Sequence, residues 1–314
     1  MINVKKKREF LNKSTLGKMK RYKYLYILMI PGLLWYLIFH ILPLYGILVA
    51  FEDFKPRLGI TGSPWVGLKH FINLFSSQSF PRILGNTVFI SALKLFCGFP
   101  MPIILALSVN SIKNKFFKKS VQTLSYLPNF LSWVVVYGIS YTLFNDYDSV
   151  FRNILVGFGL NYSDPTANSE TFIAFLVLSS IWKGMGMSSI IYLASLAGID
   201  QQLYEAATVD GASKWKQLWK ITIPCLMPIC AIVLILSVGS LVGGDFEQIF
   251  LYQRENPSLS AISDIFETYI FRNGIRAVNF SAPAAVGIFQ SIFAASLVLI
   301  TNKVAKKLGY EGIW

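Results

Sequence analysis

The sequence predicts an all-α, polytopic membrane protein, and three observations predict it. Hydrophobic residues make up 54% of the 314 positions and charged residues only 14%, against roughly 25% charged in a soluble domain. Six apolar runs reach or exceed the ~20 residues that a helix needs to cross a bilayer. The 29 lysines and arginines fall unevenly among the segments that join those runs.

The runs predict spans at about 24–51, 86–110, 121–144, 171–196, 219–243 and 282–304, each bounded by charge or by Gly, Pro, Asn and Asp clusters. The first follows a basic tail over residues 1–23. It is longer than the ~7–15-residue core of a cleavable signal and no small-residue cleavage site follows it, so it reads as a retained helix. The second and third carry Pro100, Pro102 and Pro128, which bundled membrane helices tolerate. The fourth holds Lys183 near its middle. The fifth is entered past Pro224 and Pro228 and left at Gly243-Gly244, and the sixth ends among Lys303, Lys306 and Lys307. Residues 24–314 thus form one six-helix domain.

Charge sets the orientation. The N-terminal tail, the 2–3 loop (Lys113 to Lys119), the 4–5 loop (Lys214, Lys216, Lys220) and the C-terminal tail hold 19 of the 29 basic residues. The opposite loops hold eight, and Lys94 and Lys183 lie inside spans. By the positive-inside rule the richer side is the cytosol, so both termini are expected there. The net charge of +13 therefore speaks for membrane orientation rather than nucleic-acid binding. Cys97, Cys225 and Cys230 all lie in apolar runs, without the spacing of a metal, redox or disulfide framework.

The most specific segment lies in the loop 197–218 and runs on into span five. It reads Glu205-Ala-Ala-Thr-Val-Asp-Gly-Ala-Ser-Lys-Trp-Lys-Gln-Leu-Trp-Lys-Ile-Thr-Ile-Pro-Cys-Leu-Met-Pro228. Ala206 and Ala207 favour helix with little bulk, and Gly211 can turn the chain with a positive φ. Two short helices joined at Gly211 are expected, followed by a basic, Trp-bearing stretch suited to a membrane surface.

This pattern resembles the EAA loop of the permeases of binding-protein-dependent ABC importers. The resemblance implies a MetI-like fold in which Glu205, Ala206, Ala207, Asp210 and Gly211 form a coupling helix that docks on a separate ATPase. It also implies two copies of that cytosolic ATPase, a second homologous permease subunit, an extracytoplasmic solute-binding lipoprotein and a place in the bacterial cell membrane. Ile27 to Phe51, Trp65-Val-Gly-Leu-Lys-His-Phe and Asn86 to Asn110 are similar to sugar-type permeases. Ser125-Tyr-Leu-Pro-Asn-Phe-Leu-Ser-Trp-Val-Val-Val, Ile181-Trp-Lys-Gly-Met-Gly and Asp245-Phe-Glu-Gln-Ile-Phe resemble the LplB-type branch, associated with complex oligosaccharides and polysaccharide fragments. No G-x-x-x-x-G-K-[ST] phosphate loop occurs in the chain. No cofactor is expected here, and ATP with its Mg²⁺ belongs to the partner ATPase.

A charge at bilayer depth costs about 2.5–3.5 kcal/mol on insertion scales. Lys183 is therefore read either as a pathway donor to sugar hydroxyl or carboxylate groups or as half of a structural ion pair with another helix or the partner permease. Asp245 and Glu247 are read as lining the outer mouth of a sugar path together with Gln248, or as ordinary solvated loop acids. Trp133 and Trp182 are read as sugar-stacking rings or as interfacial anchors, with Asn129 beside them in the branch-type stretch. Lys94 and His40 are weaker candidates. A smaller solute, such as a simple disaccharide or glycerol phosphate, is the competing cargo. A secondary transporter leaves the EAA pattern unexplained. A membrane enzyme lacks a nucleophile motif and metal-ligand spacing.

Overall fold

In the computed structural model, residues 21–254, 256–310 and 312 are described. The basic tail, apart from Arg21 to Lys23, lies outside them. The described chain is helical, with one isolated bridge between Glu52 and Trp65, and it separates into two units, Met1–Gly67 and Leu68–Trp314.

The first unit holds helix α1 (Lys23–Phe51). It is α-helical over Lys23–Tyr36, passes through a π turn at Leu37–Ile41 and ends in 3-10 turns over Leu42–Phe51. Pro43 explains the change, since it lacks an N–H and its ring displaces the carbonyl four residues back. His40 lies against Trp35 and Tyr36 of its own helix, with ring centroids 4.9 and 5.0 Å away. Beyond α1, Phe51 stacks on Trp65 at 5.6 Å.

The second unit contains α2 (Lys69–Ser76), α3 (Ser79–Ser111), α4 (Lys115–Tyr126), α5 (Trp133–Phe144), α6 (Val150–Gly157), α7 (Ser169–Ala197), α8 (Gln201–Val209), α9 (Lys214–Ser240), α10 (Phe246–Gln253), α11 (Pro257–Ser263), α12 (Phe266–Ile270) and α13 (Ser281–Lys307). With α1, five helices (α1, α3, α7, α9 and α13) are long and apolar enough to cross a membrane, and α4–α5 makes a sixth if the bent pair counts as one span.

That pair departs from the continuous helix expected over 121–144. The chain bends by 104° between Lys115–Phe130 and Trp133–Phe144, where Leu131 and Ser132 are extended (ψ 137° and 157°) just after a 3-10 turn, Leu127–Phe130. Pro128 has no backbone N–H to donate; Leu127 before it keeps helical φ and ψ (−52°, −45°), and the chain leaves the helical region only at Leu131. Ser132 then starts α5 afresh, its hydroxyl accepting from the Val135 N–H at 3.3 Å.

Helix α7 is the spine, packing on α3, α4 and α9. Its N-terminal part meets α3, α10 and α11 around Phe172, Leu176, Ile90, Ile249 and Tyr252. Its other end meets α3 and α9 around Tyr192, Leu196, Ala106 and Leu226. A third cluster joins Leu74, Phe80, Ile83, Phe266 and Val286 at the start of α13. Because lipid tails are as apolar as these side chains, association here depends on dispersion contact and close approach rather than on escape from water.

Gly186 is the tightest such approach. A Cβ there would overlap the backbone carbonyl of Ser125 on α4, whereas a Cβ at Gly184 meets no described atom within 4 Å. Gly186→Ala is therefore expected to cost about 1–3 kcal/mol by overpacking. It should lower the apparent melting temperature of the detergent-solubilised protein, with Gly184→Ala near the unaltered value in the same assay.

Candidate functional site

Two lysines lie at membrane depth, and each serves a broken helix. The first break is the α4–α5 bend. Lys183 on α7 donates to the Asn129 carbonyl at 3.2 Å and stands 5.4 Å from the centre of the Trp133 ring. Two sequence-predicted residues four positions apart, Asn129 and Trp133, thus meet the predicted Lys183 from about 50 positions away. Of the two structural readings of Lys183, an ion pair within this chain is corrected: among the described residues no carboxylate pairs with it. The lysine instead serves a backbone carbonyl that the broken helix leaves without its intrahelical donor, with a ring face beneath the ammonium.

The second break follows α9. The helix stops at Ser240, and Leu241 to Asp245 are irregular, with Gly244 at φ +105°. Such backbone at membrane depth needs partners. Ser91 on α3 donates to the Leu241 carbonyl and Gln290 on α13 to the Val242 carbonyl. The Gly244 N–H donates to Glu267 Oε1 at 2.8 Å. Lys94 on α3 closes the arrangement by donating to Asp245 Oδ1 and Gln248 Oε1, both at 2.6 Å. Gln248 in turn donates to the Leu176 carbonyl at 2.8 Å and to Ser179 Oγ at 2.9 Å.

The predicted outer mouth at Asp245, Glu247 and Gln248 therefore divides. Asp245 is in a partly buried ion pair, so the solvated-acid reading does not hold for it. Gln248 is fully buried and is a cross-link between helices. Glu247 and Trp182 are exposed and lie outside both groups. Lys94 was underweighted by sequence reasoning. Its only legible signal is a lysine in an apolar span, because its partners are about 150 residues away.

Between α3, α7 and α9 the structure leaves a cavity of about 260 Å³ that includes this ion pair. Ser91, Ser180, Ser188, Ser237, Ser240 and Tyr192 line it together with Lys94 and Asp245. Ser91, Ser237 and Ser240 give their protons to backbone carbonyls and keep lone pairs to accept, and with the other hydroxyls and one compensated charge pair the lining suits a polyhydroxylated solute. The cavity lies on the same three helices that carry the inner core.

At the opposite end, α8 carries the EAA residues. Asp200 caps it by accepting from the Gln202 N–H at 2.9 Å. It closes with a complete Schellman turn: the Ala212 N–H bonds the Ala207 carbonyl at 2.8 Å, the Gly211 N–H bonds the Thr208 carbonyl at 3.1 Å, and Gly211 has φ +73°. Ser213 starts α9 at once, accepting from the Lys216 N–H. Buried Gln217 ties the two arms, donating to Thr208 Oγ1 at 2.9 Å and to the Ala212 carbonyl at 3.2 Å. Tyr204 and Thr222 share a further hydrogen bond of 2.9 Å. Glu205, Ala206 and Asp210 are exposed, Ala207 is half-buried, and Val209 is 89% exposed. The result is a braced corner whose exposed residues combine the small or apolar Ala206 and Val209 with the acidic Glu205 and Asp210.

A broken-helix bundle with a braced loop between its fourth and fifth spans is the architecture of a MetI-like transport permease. The chain belongs to the family described as "Binding-protein-dependent transport system inner membrane component", whose model matches residues 98–308. It is 41% identical over 302 residues to the polygalacturonan/rhamnogalacturonan transport system permease protein YteP of Bacillus subtilis (strain 168), covering 96% of this chain and 94% of that one. It is 38% identical to protein LplB of the same organism, with the same coverage of each chain. Among solved structures it matches a bacterial ABC transporter involved in the import of the acidic polysaccharide alginate, with a TM-score of 0.86 and 36% identity over 94% of this chain and 99% of that one. The same kind of transporter, bound to a periplasmic protein carrying an alginate pentasaccharide, gives 0.86 and 35% over 95% and 99%.

Breaking the Lys94–Asp245 pair on one side strands the other charge. With side chains 10% and 29% exposed, Lys94→Met is expected to destabilise the protein by about 3 kcal/mol. Adding Asp245→Leu should recover part of that loss, read as thermal unfolding of the two variants in the same detergent.

Proposed function

We propose that this chain is one of two permease subunits of an importer in the bacterial cell membrane, with both termini in the cytosol, that takes up fragments of complex polysaccharides. Two cytosolic ATPases supply the energy through the EAA corner, and an extracytoplasmic solute-binding protein delivers the saccharide. The family membership and the polysaccharide transporters among its relatives support this reading of the cargo. The observation that carries the coupling role is the braced corner at Glu205–Gly211. Its hydrogen bonds are internal, and it exposes Ala206 and Val209 between the acidic Glu205 and Asp210, small side chains that let it seat in a groove and acids that a groove with basic groups would meet.

Mechanically, closure of the ATPases displaces α8. Gln217 and the Schellman turn prevent the corner from flexing, so the displacement passes to α9 as a rigid body. Helix α9 lines the hydroxyl-rich cavity and ends at the Lys94–Asp245 group, so its movement changes the walls of the path. The chain carries no phosphate loop, and on this reading hydrolysis belongs to the partner ATPase.

The test is Ala207→Arg in the reconstituted complex. Transport is expected to fall at least 10-fold, while the ATPase retains hydrolysis no longer stimulated by the loaded binding protein. Transport at the unaltered rate would sink the docking role.

A further inference from the structure

The two arms of the EAA corner differ in charge. The α8 arm exposes Glu205 and Asp210, whereas the first turns of α9 expose Lys214, Trp215, Lys216, Trp219 and Lys220. Lys214 donates to the Gln217 side chain at 3.1 Å. Lys216 and Lys220 have no ion-pair partner among the described residues. No acidic residue follows them in the chain before Asp245, beyond the far end of the helix.

The indoles of Trp215 and Trp219 pack edge-on with centroids 5.8 Å apart, and the residues are 68% and 52% exposed. Each tryptophan is followed directly by a lysine, so a row of two ammonium groups runs beside the row of two rings on successive turns. Depth follows from the rest of the same helix. Residues 221–240 carry no charged side chain, and about 20 residues is the length that a hydrocarbon core takes. The Trp–Lys strip continues that run through a π turn at Leu218–Thr222. It therefore lies where the core gives way to headgroups, the level that tryptophans and snorkelling lysines occupy.

We propose that this strip is a binding site for the phosphate of an anionic phospholipid, with Lys216 and Lys220 on the headgroup and the two indoles against its glycerol and upper acyl chain. Ammonium groups hold phosphate by charge-assisted hydrogen bonds, and an anionic membrane surface attracts lysines placed beside a span. The arms of the corner then divide the work, the acidic one meeting the ATPase and the basic one the bilayer. A protein groove that receives the acids of α8 presents positive charge, which disfavours the same partner for the lysines. Lys216 adjoins Gln217, which braces the corner through Thr208 and Ala212, so a bound headgroup steadies the arm that transmits motion. The inference goes beyond the importer reading and is independent of its cargo.

The test places the permease–ATPase complex in phosphatidylcholine nanodiscs that contain phosphatidylglycerol or phosphatidylcholine brominated high on the acyl chains. The signal is the tryptophan quenching that disappears in the Trp215→Phe, Trp219→Phe double variant. It should be stronger for the glycerol lipid, with a preference of about 5-fold or more, and should weaken with salt. Lys216→Gln with Lys220→Gln should bring the preference close to one, whereas Lys216→Arg with Lys220→Arg should keep it. Lys115→Gln with Lys119→Gln removes the same charge from exposed positions on α4 and should leave the preference unchanged. Equal quenching by the two lipids, an unchanged preference in the α9 glutamine variant, or an equal loss in the α4 variant overturns the site. So does release of the ATPase by the α9 glutamine variant at unaltered lipid preference, which would assign the strip to protein docking.

Discussion

No backbone donor or acceptor can be left without a partner at membrane depth, and the second unit is organised around the two places where its helices break that rule. A helix satisfies its own peptide groups; an interrupted one does not. At the Leu127–Phe130 turn the Asn129 carbonyl is answered by Lys183. After Ser240 the freed groups are answered by Ser91, Gln290 and Glu267, with Lys94 anchoring Asp245 and Gln248 beside them. A charged side chain is costly in lipid, and both lysines offset that cost by serving backbone or carboxylate groups with nowhere else to turn.

These breaks also position the proposed path. The irregular segment after α9 puts Asp245 at the cavity, and the Lys94 that steadies it comes from the facing helix. The α4–α5 bend brings Trp133 under Lys183. Tight contact replaces the hydrophobic effect elsewhere, most plainly at Gly186 on Ser125. Helices locked in this way move together, which suits a machine driven from one corner.

Much of the helical outline was legible from composition and hydropathy, because a bilayer demands long apolar runs whatever they pack against. The corner at Gly211 was legible too, since a left-handed φ and the caps around it are local demands on local residues. The bend at Leu131–Ser132 was not: membrane helices usually absorb prolines such as Pro128, and whether a helix bends or breaks depends on what receives the freed carbonyl. Lys94 was underweighted for a related reason. Nothing near it in sequence says that Asp245 and Gln248 will be within 2.6 Å.

By itself the sequence determined the class of protein, the predicted orientation of its spans and the loop through which energy is expected to arrive, because each depends on composition, charge count or a short contiguous pattern. Tertiary structure alone decided which charges meet and that Gln248 is a buried cross-link rather than part of a mouth. Such pairings depend on how helices distant in sequence pack side by side, and no local preference encodes that.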